Sequence, residues 1–184
     1  MAARKIKKEE LLEKSAEIIR KKGYFGTSMD ELAKACGLYK ASFYYYYPSK
    51  EELVCAILAY YLEEIERQLS ELFNRELCRP ELKKQLLDLY LNWSGEGNKG
   101  HLFAIIGIET AQTSNELRVA IRQAYRLWLQ YFTRILQGAY LEVEADAIAN
   151  QMIIELEGAV TLSRIMGDLT YVQDTTSKIT KRMR

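Results

Sequence analysis

The sequence has few cysteines, which can cross-link a chain, and few prolines, which interrupt helices. It contains 2 prolines and 3 cysteines in 184 residues, and the cysteines lack CxxC spacing. Scattered cysteines of odd number fit reduced thiols better than a disulfide framework. Long stretches without proline favour helices over a β fold with many turns. No run approaches the roughly 18 consecutive apolar residues of a membrane span, and the charged start MAARKIKKEE leads into no apolar signal region.

Histidine is scarce as well, since His101 is the single one in the chain. A lone imidazole excludes most catalytic triads and histidine-based metal sites, and no phosphate-binding glycine loop follows a predicted strand. Acidic pairs such as Glu51-Glu52 and Glu63-Glu64 are typical of solvated helix faces. We therefore expect no enzyme activity, no catalytic residue, no metal and no cofactor.

Charge is distributed unevenly along the chain. The net charge is +1, yet residues 1–50 hold 11 Lys and Arg against 6 Asp and Glu, whereas the remainder holds 15 against 19. A basic first quarter joined to a mildly acidic remainder is expected when only the first part meets phosphate. Apolar residues make up 48% of the chain, enough to build a core.

Helical periodicity and helix-stop residues divide the first third of the chain. A helix over residues 6–22 ends at Gly23, and the capping-box pattern from Ser28 to Glu31 opens a helix of about two turns. A second short helix spans about residues 40–46. Pro48 ends it, and Ser49 caps a longer helix.

The remaining chain also shows helical periodicity, with no internal repeat. Helices are predicted at about residues 49–75, 80–93, 101–112, 115–138, 144–166 and 170–182, with a loop at 94–100. The predicted fold class is all-α. An N-terminal three-helix domain with a helix-turn-helix occupies residues 1–50, and a larger helical bundle occupies residues 51–184.

Residues 28–47 have the length and the element order of a helix-turn-helix: a helix, a turn containing Gly37, and a second helix. In such a motif the tight turn sets the steep angle at which the first helix braces the second one in the major groove of DNA. Helical hairpins are common, so periodicity alone leaves the DNA-binding interpretation open.

The segment TSMDELAKACGLYKASFYYYYPSKEELV closely resembles the DNA-binding domain of the tetracycline-repressor-like (TetR) family. That family shows T-S/T-apolar-x-D/E-I/L-A, then G-V-S-K-G-S-F/L-Y-x-Y/H-F-x-S/N-K. The resemblance covers about residues 8–55. Tyr39 departs from it by replacing a small capping hydroxyl, and Tyr45 and Tyr46 replace frequent histidines. The matching residues are Thr27, Ser28, Glu31, Leu32, Ala33, Gly37, Lys40, Ser42, Phe43, Tyr44, Tyr46, Ser49 and Lys50.

The resemblance and the side-chain chemistry together indicate DNA contacts. Lys40 can donate to guanine O6 and N7, and the Ala41 methyl group can touch a thymine methyl group. Tyr44 resembles the phosphate-contacting tyrosine of the family, and Tyr39 at the helix tip can reach a base or a sugar. The predicted DNA-binding residues are Thr27, Ser28, Tyr39, Lys40, Ala41, Ser42, Tyr44, Tyr45, Tyr46 and Lys50.

Other residues around the motif have more than one interpretation. Thr27, Ser28 and Lys50 lie at helix N-termini, which attract phosphate. Phe43 and Tyr47 are expected in the core, where they brace the recognition helix against Leu32 and Ile19. The basic residues Arg4, Lys5, Lys7 and Lys8 either reach an adjacent minor groove or form a solvated tail.

The resemblance implies that the last two long helices form a four-helix dimer interface with those of a second copy. Glu157-Gly158-Ala159 falls in the penultimate helix, as it often does in that family. An apolar stripe with small residues on this helix is the predicted interface, and a face buried within the monomer is the alternative. The stripe consists of Ile148, Met152, Leu156, Ala159, Val160 and Ser163.

The resemblance also implies a small-molecule pocket among the middle helices. Ile121, Tyr125, Trp128, Phe132 and Ile135 form an aromatic stripe that lines either this pocket or the core. Glu109 follows an apolar run and meets either a cationic ligand or an arginine such as Arg118 or Arg122. His101 is expected at a helix start near solvent. The predicted ligand-binding residues are Trp93, His101, Phe103, Glu109, Tyr125, Trp128 and Phe132.

These inferences predict a DNA-binding transcriptional regulator in a prokaryotic cytoplasm, associated with the nucleoid and not with a membrane. A homodimer would bind a palindromic operator in double-stranded DNA, with half-sites roughly 34–36 Å apart, and block transcription. A small-molecule effector would shift the helix starting near Ser49 and release the operator. The alternative is a helical adaptor of the same fold that acts through protein partners without specific DNA binding.

Overall fold

The computed structural model describes residues 6–95, 100–137 and 139–183, and over these ranges the chain forms helices and no strand. The predicted all-α fold with an N-terminal helix-turn-helix is confirmed. None of the described helices is long and apolar enough to cross a membrane. The helices are α1 Lys8–Lys22, α2 Met29–Ala35, α3 Lys40–Tyr46, α4 Lys50–Phe73, α5 Arg79–Trp93, α6 Leu102–Thr110, α7 Asn115–Leu136, α8 Glu142–Met166 and α9 Thr170–Arg182.

The helix ends follow the local sequence signals closely. Gly23 has a φ of 80° and donates its N–H to the Ile19 carbonyl, which ends α1. The Ser28 hydroxyl accepts the Glu31 N–H at 3.2 Å and so caps α2. The reciprocal half of the predicted capping box is absent, because the Glu31 carboxylate binds the Lys22 ammonium group instead.

The chain divides into two compact units that do not follow the predicted boundary at residue 50. The first unit contains the described residues up to Glu64 together with Leu102–Arg122, and the second contains Ile65–His101 and the residues from Gln123 onward. The reason is that α6 packs against α1. Sequence periodicity carries no information on such long-range pairing, so it could not show that α6 clusters with the N-terminal helices.

Each unit has its own apolar core. In the first unit α2 packs against both α1 and α3, and Ile19, Leu32 and Phe43 are fully buried. Phe43 and Tyr47 are buried as predicted. In the second unit α9 packs against α8 and α5, and the largest fully buried side chains are Trp128, Tyr90 and Phe132.

Candidate functional site

The short helix α3 presents most of its surface to solvent. Only Phe43 on this seven-residue helix is fully buried, and it fixes the helix to the first unit. Tyr39 at the N-cap is 71% exposed and makes no capping hydrogen bond through its side chain. Tyr45 is 89% exposed, and Ala41 is exposed as well. A short helix held by one buried ring, with its other faces open, matches a recognition helix that enters the major groove.

Lys40, at the start of α3, forms an exposed ion pair with Asp30 on α2. Its Nζ lies 2.8 Å from Asp30 Oδ2 and 5.8 Å from the centre of the Tyr44 ring. The hydrogen bond to Asp30 and the charge of that carboxylate raise the pKa of Lys40, so the ammonium group stays charged. A DNA acceptor must therefore compete with Asp30 for this side chain.

Two of the predicted phosphate contacts have side chains that form hydrogen bonds inside the first unit. The Thr27 hydroxyl is buried and donates to the Gly23 carbonyl at 2.8 Å. Lys50 Nζ donates to the carbonyls of Tyr24 at 2.7 Å and Thr27 at 2.8 Å. Burial lowers the pKa of Lys50, while the negative charge of Glu109 works against that effect. Ser28 differs, since its exposed hydroxyl accepts a backbone N–H and keeps its own proton to donate.

The remaining predicted DNA contacts stay predictions. Ser42 is half-buried, while Tyr44 and Tyr46 are exposed along α3. Of the basic residues before α1, Arg4 and Lys5 lie outside the described residues. Lys7 and Lys8 are exposed at the start of α1.

Glu109 on α6 lies against the segment that joins α1 and α2, and its predicted ligand role stays a prediction. Its Oε2 accepts the backbone N–H of Phe25 at 2.8 Å, in the segment between α1 and α2. The suggested partner Arg118 instead donates to Asn115 Oδ1 at 2.7 Å. A carboxylate after an apolar run does need a partner, as expected. The partner is a backbone amide 84 residues away, which sequence spacing cannot reveal.

The second unit contains a polar group of four side chains, of which Tyr90 and His101 are buried and Tyr125 and Glu157 are half-buried; it is here termed the Glu157 cluster. Glu157 Oε1 lies 2.6 Å from the Tyr90 hydroxyl, which donates to it, and 2.5 Å from His101 Nδ1. Tyr125 donates a further hydrogen bond to Glu157. His101 is only 2% exposed, so its predicted position near solvent is wrong.

Aromatic rings enclose this cluster. The Tyr90 ring centre lies 5.0 Å from that of Trp128 and 5.8 Å from that of Phe132, both edge to face. The ring centres of His101 and Tyr125 are 5.7 Å apart. Aromatic pairs favour such edge-on geometries. The predicted α7 stripe of Tyr125, Trp128 and Phe132 thus forms part of the wall around a carboxylate.

The surroundings of the Glu157 cluster shift the pKa values of its members. Burial raises the pKa of Glu157, but the charge of His101 and hydrogen bonds from His101, Tyr90 and Tyr125 outweigh burial and leave that pKa below its usual value. Burial and the negative charge of Glu157 raise the pKa of Tyr90 and Tyr125. The cluster therefore holds an ionised carboxylate with two tyrosines that remain protonated.

Glu157 Oε2 and Trp128 Nε1 are buried and lack a hydrogen-bond partner among the described residues. Trp128 is fully buried. Unsatisfied buried donors and acceptors are rare in folded proteins, and each calls for a physical explanation.

The other predicted pocket residues are dispersed. Trp93 Nε1 donates to Gln68 Oε1 at 3.0 Å in the second unit, whereas Phe103 is buried in the first. Tyr90 and Glu157 were missed as pocket candidates. The signal in the sequence was a carboxylate directly after Met152–Leu156, a segment that is apolar except for Glu155. Among the described residues no group of three or more His, Cys, Asp and Glu side chains could hold a metal.

Most of the predicted dimer stripe on α8 is buried within the single chain, which favours the alternative of a face in the monomer core. Ala159 and Val160 pack with Val172 of α9 and Leu91 of α5. Met152, Leu156 and Ser163 are buried too, and Ile148 is half-buried. A different face of α8 is apolar and exposed, here termed the α8 stripe: Ile154, Gly158, Leu162, Ile165 and Leu169, the last just beyond the helix.

Comparison with known families matches both parts of the chain. Residues 11–57 match the model described as bacterial regulatory proteins, tetR family. Residues 91–177 match the model described as transcriptional regulator LmrA/YxaF-like, C-terminal domain. Together the two matches include the helix-turn-helix and most of the second unit.

Individual relatives agree with these matches. The chain is 28% identical over 165 residues to the HTH-type transcriptional regulator LmrA of Bacillus subtilis, covering 85% of each chain. It is 35% identical over 89 residues to the regulator YuxN of the same organism, covering 48% of this chain but only 31% of that relative. A TetR transcriptional regulator from Legionella pneumophila has the same fold, with a TM-score of 0.88 at 23% identity over the whole of both chains. The chain therefore belongs to the TetR family of transcriptional regulators.

Proposed function

We propose that this regulator is a homodimeric repressor that binds a near-palindromic operator through α3. The exposed surface of α3, held by the single buried ring of Phe43, carries this proposal. Tyr39, Lys40 and Ala41 occupy its first turn, the part of a recognition helix that reaches base edges. The tyrosine hydroxyls beyond them can donate to phosphate oxygens.

The α8 stripe supports the dimer. Ile165 is 70% exposed and Ile154 is 64% exposed, and helical spacing places Ile154, Gly158, Leu162 and Ile165 on one side of α8. Gly158 leaves open space at the middle of this face, which permits close approach of a second helix. Paired copies would place two recognition helices on one face of the DNA, as a two-fold symmetric operator requires.

Repression is the output that the relatives favour. One relative, DhaR of Mycobacterium sp., is named an HTH-type transcriptional repressor, and it is 22% identical over 86% of this chain. A dimer bound across a promoter blocks transcription without any further partner. Release then requires a ligand that binds the DNA-free form more tightly than the DNA-bound form.

The Glu157 cluster is the proposed effector site. A compound with a ring system and a hydroxyl or amine group could donate to Glu157 Oε2 and accept from Trp128 Nε1. The surrounding aromatic rings would stack on its apolar part. Because Trp128 and Tyr90 are fully buried, such a compound must displace packed side chains. That displacement would couple ligand binding to a change of conformation.

Selection of random DNA duplexes by the purified protein tests DNA recognition. We expect a palindromic site, bound more weakly as salt rises because phosphate contacts release counterions. Replacing Lys40 and Tyr44 by Ala should abolish the selected preference. A folded dimer that enriches no sequence would refute the proposal and favour the adaptor, whose protein contacts depend little on salt.

Thermal-shift screening of ring compounds with and without hydroxyl or amine groups tests the effector site. Compounds that carry these groups should stabilise the protein and dissociate the operator complex. Trp128→Phe should weaken both effects, because it keeps an aromatic ring but removes the indole N–H. Equal stabilisation of wild type and Trp128→Phe by every active compound would place the effector elsewhere.

A further inference from the structure

We propose that Glu109 is a positioning residue for DNA binding, which acts by fixing the α1–α2 link, residues 23–28. This inference rests on the proposed function. Glu109 Oε2 accepts the Phe25 N–H at 2.8 Å. The Phe25 side chain is 62% exposed, so the ring does not anchor this part of the link by burial. The backbone hydrogen bond to α6 therefore does so.

The packing at Gly23 shows how closely the carboxylate approaches the link. A side chain at this position would begin only 2.9 Å from Glu109 Cδ, and still closer to its Oε1. Glycine is also favoured there because its φ is 80°. The space beside Gly23 is thus occupied by the Glu109 carboxylate, which touches the link at two points, Gly23 and Phe25.

Lys50 holds the same link from α4. Its ammonium group donates to the carbonyls of Tyr24 and Thr27 and lies 4.3 Å from the centre of the Tyr24 ring. The positive charge of Lys50 satisfies carbonyl acceptors, while the negative charge of Glu109 satisfies an amide donor. Lys50 and Glu109 therefore form a clamp of opposite charges around residues 23–27 of the link.

The clamp affects DNA binding because the link leads directly into α2 of the helix-turn-helix. The link ends at Ser28, which caps α2, and α2 packs against the recognition helix α3. Lys50 comes four residues after the end of α3, so it ties the far end of the motif to its beginning. Release of the link would let α2 and α3 tilt together, and base contacts depend on the angle at which α3 enters the groove.

Glu109→Ala, Glu109→Gln and the control Glu116→Ala test this role by operator titration and amide hydrogen exchange. Glu116 is an exposed glutamate in the first turn of α7. We expect Glu109→Ala to weaken operator binding about tenfold or more, the equivalent of one hydrogen bond to a charged group, and to speed exchange at Phe25. Glu109→Gln keeps an oxygen acceptor and should recover most of the affinity. Glu116→Ala should bind within about twofold of wild type.

Salt dependence separates the clamp from a direct charge effect. Glu109 binds a backbone amide and no phosphate, so the slope of log affinity against log salt should match wild type in every variant. Operator binding within twofold for Glu109→Ala would overturn the inference. Weaker binding with unchanged exchange at Phe25, or without recovery in Glu109→Gln, would overturn it too. If the wild type selects no operator, the proposed function itself fails, which is a distinct outcome.

Discussion

The hydrogen bond from Tyr90 to Glu157 should contribute a large share of the stability of the second unit. Tyr90 is fully buried and its hydroxyl lies 2.6 Å from Glu157 Oε1. Tyr90→Phe keeps the ring and removes only the donor. A hydrogen bond to a charged group contributes about 1.5–3 kcal/mol, and the largely buried carboxylate would lose one of its donors. The midpoint of thermal unfolding should fall by about 3–12 °C, taking about 2–4 °C per kcal/mol for a chain of this size.

Urea unfolding followed by tryptophan fluorescence measures this change. Both tryptophans, Trp93 and Trp128, lie in the second unit, so their emission follows the unfolding of that unit. Tyr140→Phe is the matched control, since the Tyr140 hydroxyl donates to the Arg182 carbonyl at the surface of the same unit. The control should change the free energy of unfolding by less than about 0.5 kcal/mol.

A loss for Tyr90→Phe as small as that for Tyr140→Phe would refute the reasoning. It would mean that the Glu157 carboxylate finds another donor at no cost, or that it is not ionised. A double-mutant cycle with Glu157→Gln separates these cases. Side chains joined by such a bond should show a coupling energy of about 0.5–3 kcal/mol.

Four further predictions follow from the described contacts. Lys40→Ala should weaken operator binding by about 5- to 150-fold in a titration if Lys40 makes a bidentate base contact, and an equal loss on random DNA would mark it as a phosphate contact. Asp30→Asn frees the Lys40 ammonium group and removes a negative charge, so binding to random DNA should tighten at low salt; unchanged binding would show that the ion pair does not compete with DNA. The Glu157 pKa is lowered on folding, so its contribution is present above the unfolded value of 4.5 and is lost as pH falls through the folded value. The free energy of unfolding, from urea titrations at steps of about one pH unit between pH 3 and 7, should then fall less in acid for Glu157→Gln than for wild type. Ile165→Glu should yield monomers in analytical ultracentrifugation, whereas Leu141→Glu, an equally exposed apolar site about 36 Å farther along the helix axis, should remain dimeric.

Local sequence signals predicted the helices well. The bounds of α3 and α9 agree with the predicted ranges, and the Ser49 hydroxyl accepts the Glu52 N–H at 3.1 Å as its capping role requires. These features depend on residues a few positions apart. The same holds for the core positions of Phe43 and Tyr47, which follow from helical spacing around the turn.

Interactions between distant residues could not be predicted in this way. Glu109 and Lys50 both bind the α1–α2 link, and neither partner is visible from spacing. The buried face of α8 was hard to predict for a related reason. The helix is apolar on two sides, and composition cannot decide which side meets α9 and which side is exposed. The burial of His101 follows from Glu157, which is 56 residues away.

The composition of α3 should affect how strongly operator affinity depends on ionic strength. Lys40 is the single basic residue among its seven, and Tyr44, Tyr45 and Tyr46 follow. Hydroxyl groups and aromatic rings that touch DNA release no counterions, so they add affinity without adding to the salt slope. Operator affinity would still fall as ionic strength rises, but less steeply than for a lysine-rich recognition helix. A moderate rise in salt inside the cell would therefore displace a lysine-rich competitor before it displaced such a protein.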